Sequence, residues 1–376
     1  MGFRHPSFGR WSCAAVVFLL MAGISGADAS SASASGTVRD SCLVGLPPLP
    51  AAANTGGLKE EALSGLVGLG QTLFEEKALS RDGSTSCQSC HLPELAFAEP
   101  RAVSVGVAQR SGRRNAPSVL NTVYLKQLLW DGAAEDLESQ IIKALTHEDE
   151  MGSGPEHLEE YLAGRPVLAE ELTRYAPGEN VMEQVAGAIG IFLQQLRGGG
   201  SAVDRYLYGN DPTALSAQAQ EGFEIFVGKG HCSICHTIHH PRTHPFGGAS
   251  SLYSDQRFHN IGVGAKNGFV DAGRQEVTGR AEDQGKFKTP MLRNVALTAP
   301  YMHDGSLKDL MAVVDFYDRG GERNPNLDPA IRPLRLREEE KRSLVAFLEA
   351  LTSPCADGTG LFPLITESPP ESRDQS

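Results

Sequence analysis

Tryptophan is nearly missing from this 376-residue chain: Trp11 and Trp130 are the two copies. Runs that alternate apolar and polar residues are few, which argues against a sheet-based architecture. Basic charge is in deficit. Lys and Arg number 34 against 46 Asp and Glu, for a formal net charge of −12. That balance excludes nucleic acid as a natural partner and suits soluble, basic ones. Beyond residue 24 no apolar stretch is long enough to cross a bilayer, so no membrane span is expected. Cysteine is sparse, but four of the seven fall in two short runs.

The first 29 residues read as a secretory signal, with Arg4 and Arg10, an apolar stretch from Trp11 to Ile24, and Ala27-Asp28-Ala29 as cleavage site. Its removal takes away two positive charges and one negative and leaves −13. Cys13 leaves with it. Residues 30–57, rich in Ser, Ala, Pro and Gly, read as a flexible lead-in. Residues 355–376 read as a loose tail. Cys42 and Cys355 lie near the two ends of the mature chain. In an oxidising compartment they form a disulfide tying the termini or stay as two separate thiols, and sequence does not place their Cα atoms.

The remaining four cysteines organise the chain. Cys87-Gln88-Ser89-Cys90-His91 and Cys232-Ser233-Ile234-Cys235-His236 are two Cys-x-x-Cys-His runs. In such a run two thiols add to the vinyl groups of a c-type haem, and the adjacent imidazole ligates the iron. A zinc ribbon also has two Cys-x-x-Cys pairs, but needs no His after both and spaces them closer. Two covalently bound haem c groups are therefore expected, one in each half.

Helical periodicity runs from Leu58 to Lys77, and Ser80-Arg81-Asp82-Gly83 breaks it just before the first run. A helix through Gln218, Phe223 and Phe226, then Gly228-Lys229-Gly230, leads into the second. The halves read as a divergent repeat of one cytochrome-c-like unit. Further helices are expected over 137–146, 156–175, 181–196, 306–318 and 337–351, with irregular loops over 92–129 and 237–290. The fold class is mostly α: two cytochrome-c-like domains, each built around a haem. Gly198-Gly199-Gly200 marks the seam between residues 58–200 and 201–354.

Arg114-Asn115-Ala116-Pro117-Ser118-Val119-Leu120-Asn121 and Trp130-Asp131-Gly132, then Thr289-Pro290-Met291-Leu292-Arg293-Asn294 and Ala299-Pro300-Tyr301-Met302-His303-Asp304-Gly305, resemble the bacterial di-haem cytochrome c peroxidase family, which includes the MauG-type proteins. The likeness runs from about Gly65 to Leu351. It implies a periplasmic oxidoreductase, monomer or homodimer. In this family the N-terminal haem reacts with hydrogen peroxide and the C-terminal haem supplies electrons. His91 is then the ligand of the peroxidatic haem. Gln140 and Glu150, ten and twenty residues after Trp130, match the family's distal pair. A carboxyl there moves a proton between the peroxide oxygens. Without that spacing, His147-Glu148-Asp149-Glu150 would be a solvated acidic loop. Trp130 takes the family's place for an electron relay between the haems, against the alternative of a core aromatic.

His236 carries the second haem. Tyr317, fourteen residues after His303, stands where the family's peroxidases usually place a Met ligand, and this resembles the MauG type. A phenolate favours ferric iron relative to a thioether. Met302 and Met311 are rival ligands, and an ordinary core tyrosine is the bland alternative. Residues 92–129 contain no His, and Val107 stands where many family peroxidases carry a removable ligand. The first haem should therefore be open to peroxide without prior reduction. Against full MauG identity, Ala144 replaces an expected Pro, and no Trp stands near Cys232. Calcium, held by Asn115 and by Thr298 and Pro300 through backbone carbonyls, is a further implication. His231, His239, His240 and His244 cluster around the second run and read as loop histidines rather than a third metal site.

Three functions follow. The first is peroxide removal with electrons from a small redox protein, a cytochrome c or cupredoxin. The second is MauG-like oxidation of residues in a partner protein. The third, an electron carrier without substrate chemistry, is disfavoured by the missing loop His and the Glu150 spacing.

Overall fold

The computed structural model describes residues 41–48, 50, 60–176, 178–239, 251–268 and 270–357. The signal, most of the lead-in, His240, His244 and the tail from residue 358 lie outside them.

Helix α1 (Glu60–Glu75) puts Leu66, Leu69, Leu73 and Phe74 on one buried stripe. That is the three-and-four spacing of an amphipathic helix. The stripe packs on α5 (Val181–Gln195), whose Val185, Ala186, Ala188 and Ile189 are fully buried. Between them in sequence come α2 (Leu137–Thr146), α3 (Pro155–Ala163) and α4 (Pro166–Tyr175). Helix α6 (Ala202–Leu207) opens the second half. There α7 (Ala217–Val227) packs on α10 (Glu338–Glu349), with the short α8 (Gln275–Thr278) and α9 (Leu310–Asp318) between them in sequence. One hydrophobic cluster is drawn from residues 66–196 with Ala356, and a second from residues 203–351. Sheet is minimal: β1 (Phe258–His259) pairs antiparallel with β2 (Phe287–Lys288).

Two local features recur in both halves. Gly70 on α1 meets the Ala188 carbonyl of α5, and Gly222 on α7 meets the Ser343 carbonyl of α10; a Cβ at either position would collide. Both helix pairs thus approach too closely for any side chain at the crossing. Asn121 and Asn294 both adopt the left-handed conformation, each at φ 62°. The Asn121 N–H donates to Leu196 O at 2.8 Å, and the Asn294 N–H to Leu351 O at 3.2 Å. Their Oδ1 atoms accept from Gly198 N (3.1 Å) and Ser353 N (2.7 Å). Each Asn therefore ties its loop to the end of the last helix in its half.

Three expectations change. The helix over 156–175 is two helices, because Pro166 lacks an N–H and restricts Arg165, so α3 stops at Gly164 and α4 restarts at Pro166. The helix over 306–318 begins at Leu310, where the Asp309 side chain caps Ala312 N at 2.8 Å. Helix α6 was not foreseen; Ser201 and Asp204 form its capping box. The cysteine alternative resolves to a disulfide. Cys42 and Cys355 are bridged, buried, and 5.9 Å apart at Cα. No helix among the described residues is long and apolar enough to cross a membrane.

Candidate di-haem site

Each Cys-x-x-Cys-His run folds into a 3-10 turn that aims its histidine inward. In the first, Cys87–Ser89 form the turn and the His91 N–H closes on Cys87 O at 3.0 Å. In the second, Cys232–Ile234 form the turn and the His236 N–H closes on Cys232 O at 2.9 Å. The ring geometry matches as well. His91 Nδ1 donates to Phe97 O at 3.1 Å, and His236 Nδ1 to Tyr253 O at 2.9 Å. That bond fixes the tautomer and leaves Nε2 unprotonated, the state a metal ligand needs. Burial lowers the pKa of both imidazoles and keeps them neutral.

Both turns open on one continuous cavity of ≈860 Å³. Cys87, Cys90 and His91 line one region of it, and Cys232, Cys235 and His236 another. None of the four cysteines is in a disulfide. Burial pushes the thiols of Cys87, Cys90 and Cys232 up to about 12. Zinc ligands and redox dithiols work as thiolates, which this environment disfavours. The donor set fits covalent haem: paired thiols beside an apolar cavity, with an imidazole offered next to each pair.

The distal candidates share the cavity wall with the first turn. Gln140 on α2 and Glu150 in the turn after it both line the cavity. Gln140 Oε1 is buried without a hydrogen-bond partner. An orphaned acceptor of this kind costs stability unless a bound group satisfies it. Burial among protein atoms holds the Glu150 carboxyl above the usual range, while its accessible surface borders the cavity. The backbone at Glu150 is clamped: Val107 N donates to Glu150 O at 2.8 Å, and Gly106 lies so close to the Asp149 and Glu150 carbonyls that a Cβ would collide. Val107 itself is buried and does not line the cavity. Ala144 does line it.

Trp130 lines the cavity too. Its Nε1 donates to Asn115 O at 2.9 Å, and its ring lies edge-on to His303 with centroids 6.5 Å apart. Tyr317 and Met302 both border the cavity; Met311 does not. Burial pushes the Tyr317 phenol up, and the Cys232 and Cys235 sulfurs are its next electrostatic neighbours. Asn115, Thr298 and Pro300 line the same cavity. Asn115 Nδ2 donates to Arg101 O at 2.9 Å, which leaves Oδ1 as the acceptor on that side chain. Of the expected loop histidines, His231 Nε2 meets Arg332 Nη2 at 2.7 Å.

Sequence reasoning missed four features. His259 lies between Asp255 (3.0 Å) and Asp328 (2.7 Å) and beside Cys235, whose sulfur is the first of the partners that push it up to about 10. Three possible ligand atoms from Cys235, Asp255 and His259 lie within 4.8 Å of one another. Only Cys235 was singled out beforehand. Arg114 bonds Asp131 at 2.6 Å and Asp271 at 2.6 and 2.8 Å, joining the halves beside Trp130. Lys288 is buried, donates to Gln127 O at 2.7 Å, and is pushed down to about 8 by burial. Glu99 is fully buried, pairs with Arg101, and keeps Oε2 unpartnered. Arg114 stood in a quoted motif; Lys288, Glu99 and His259 gave no local signal.

Two haem-attachment turns sharing one cavity on a mostly helical frame define a di-haem c-type oxidoreductase. The chain belongs to the di-haem cytochrome c peroxidase family, whose model matches residues 64–212. It is 37% identical to the methylamine utilization protein MauG of Methylorubrum extorquens, over 76% of this chain and 77% of that one. It is 33% identical to the cytochrome c551 peroxidase of Nitrosomonas europaea, over 77% and 80% of the two chains. Among solved structures it is similar to a MauG-like protein associated with microbial copper homeostasis, at TM-score 0.70 and 30% identity, covering 84% of this chain and 95% of that one. Membership makes the chain a haem oxidoreductase of the cytochrome c peroxidase type, acting on peroxide.

Proposed function

We propose that this chain reduces hydrogen peroxide at a haem carried by Cys87, Cys90 and His91, with electrons passed through a haem carried by Cys232, Cys235 and His236. The observation that carries the reading is the single cavity, which joins both turns and has Trp130, Gln140, Glu150 and Tyr317 on its wall. The haems, when bound, supply the redox equivalents. Glu150 takes a proton from one peroxide oxygen and delivers it to the other as the O–O bond opens. The Gln140 amide orients the peroxide and the Glu150 carboxyl. Trp130 would relay electrons between the halves, and Tyr317 together with His236 would hold the iron of the second haem. Asn115, Thr298 and Pro300 would hold Ca²⁺, a hard cation suited to their oxygens. Residues 58–200 and 201–354 act as the two haem domains in the periplasm, and a small cytochrome c or cupredoxin donates the electrons.

A second reading, MauG-like oxidation of residues in a partner protein, is favoured by one observation. The residue at the ligand position is Tyr317 rather than a Met, and its ring borders the cavity near Cys232 and Cys235. Stopped-flow absorbance of the fully oxidised protein with stoichiometric hydrogen peroxide tests both. Immediate change at both haems is expected, because residues 92–129 offer no histidine to block the first. A lasting change favours the protein-oxidising reading; rapid return with an added donor favours peroxide removal. No reaction until one haem is reduced would show a hidden ligand and refute the open first haem.

A further inference from the structure

We propose that Arg293 is a positioning residue for His236, and that segment 41–46, fastened by the Cys42–Cys355 disulfide, holds Arg293 in place. The inference rests on the reading that His236 ligates the second haem. Arg293 is 5% exposed, and its guanidinium is spoken for on three sides. Nη1 and Nη2 grip Asp204 at 2.6 and 2.9 Å, Nε donates to Ser251 O at 2.8 Å, and Nη2 donates to Gly45 O at 2.6 Å. The same guanidinium lies over the Tyr253 ring, 5.4 Å from its centroid. Tyr253 O is the acceptor for His236 Nδ1, and Tyr253 N donates to Ser251 Oγ at 3.0 Å. Arg293 thus braces both the ring and the chain of the residue that orients the imidazole.

Backbone bonds along its length and the disulfide near its start hold segment 41–46 against residues 199–200 and 251. Cys42 O and Val44 O accept from Gly199 N (2.8 Å) and Gly200 N (2.9 Å), and Gly45 O also accepts from Ser251 N at 3.1 Å. Gly45 has φ 77°, and a side chain there would strike Asp204. The disulfide joins residues 313 apart in sequence and fastens segment 41–46 in addition to these backbone bonds. A bond from the non-ligating ring nitrogen raises the basicity of a histidine ligand and fixes its orientation. Loosening Tyr253 weakens that bond, makes Nε2 a poorer donor, and favours the reduced iron.

The experiment measures midpoint potentials and electron paramagnetic resonance of each haem in three holoproteins: wild type, Cys42→Ser/Cys355→Ser, and Arg293→Lys. We expect both variants to keep two haems, to raise the potential of the second haem and alter its resonance, and to leave the first unchanged. Unmoved second-haem signals in both variants overturn the inference. So do equal shifts at both haems, or variants that lose their haems or helix content, since each means a general structural role. A wild-type protein whose second haem lacks histidine ligation would instead overturn the underlying reading.

Discussion

Replacing Glu150 by Gln separates proton transfer from shape. The amide keeps the side chain's volume but cannot accept and return a proton. In the fold the Glu150 carboxylate makes no ion pair and no side-chain hydrogen bond among the described residues, and its position is set by the backbone bond from Val107. The substitution therefore removes chemistry without removing a structural contact. Asp131, another acid on the cavity wall, is committed to Arg114 at 2.6 Å and is not free to replace it. General acid–base catalysis of this kind contributes roughly 10²–10⁴-fold, or about 3–5 kcal/mol of barrier. The rate of reaction with peroxide should fall by that factor in stopped flow. Burial raises the Glu150 carboxyl, so its basic form appears only as pH climbs past the ordinary carboxylate range. The wild-type rate should fall on the acid side of that raised pKa, and the Gln variant should lose this dependence. Stability runs the other way. A carboxyl with a raised folded-state pKa destabilises the fold as pH rises through the interval between its unfolded and folded values. The Gln variant lacks that loss and should be at least as stable at neutral pH. A peroxide rate unchanged in a folded variant with both haems would refute the role of Glu150.

Tyr317→Phe should change the absorption spectrum of one haem and raise its reduction potential, since a phenolate favours ferric iron; an unaltered spectrum would leave Met302, which shares the cavity wall, as the ligand to test. Calcium removal by a chelator should slow electron exchange between the haems and release about one ion per chain by metal analysis, and Asn115→Ala should weaken retention; no bound calcium in the purified protein would sink the site.

Much of the fold was legible because it is local. The 3.6-residue stripe of α1 acts within a few residues; the Gly164–Pro166 break and the Asp309 cap are equally local, yet the expected helices ran through both. The two haem turns were legible for the same reason, since five consecutive residues carry the chemistry. Gln140 and Glu150 became candidates through the family resemblance, whose distal pair stands at their spacing from Trp130, and the fold brings both to the cavity wall by placing one on α2 and the other in the turn after it.

What sequence alone determined is therefore the pair of attachment turns, the helices that lead into them, and the family. Each is encoded in contiguous residues, where periodicity and motif chemistry are written directly. Tertiary structure decided the Cys42–Cys355 bridge, the Arg114 clamp between Asp131 and Asp271, the burial of Lys288 and Glu99, and the Arg293 brace behind His236. Those depend on chain segments tens to hundreds of residues apart meeting in space. Burial and charge pairing exist only after that meeting, and no local pattern records them in advance.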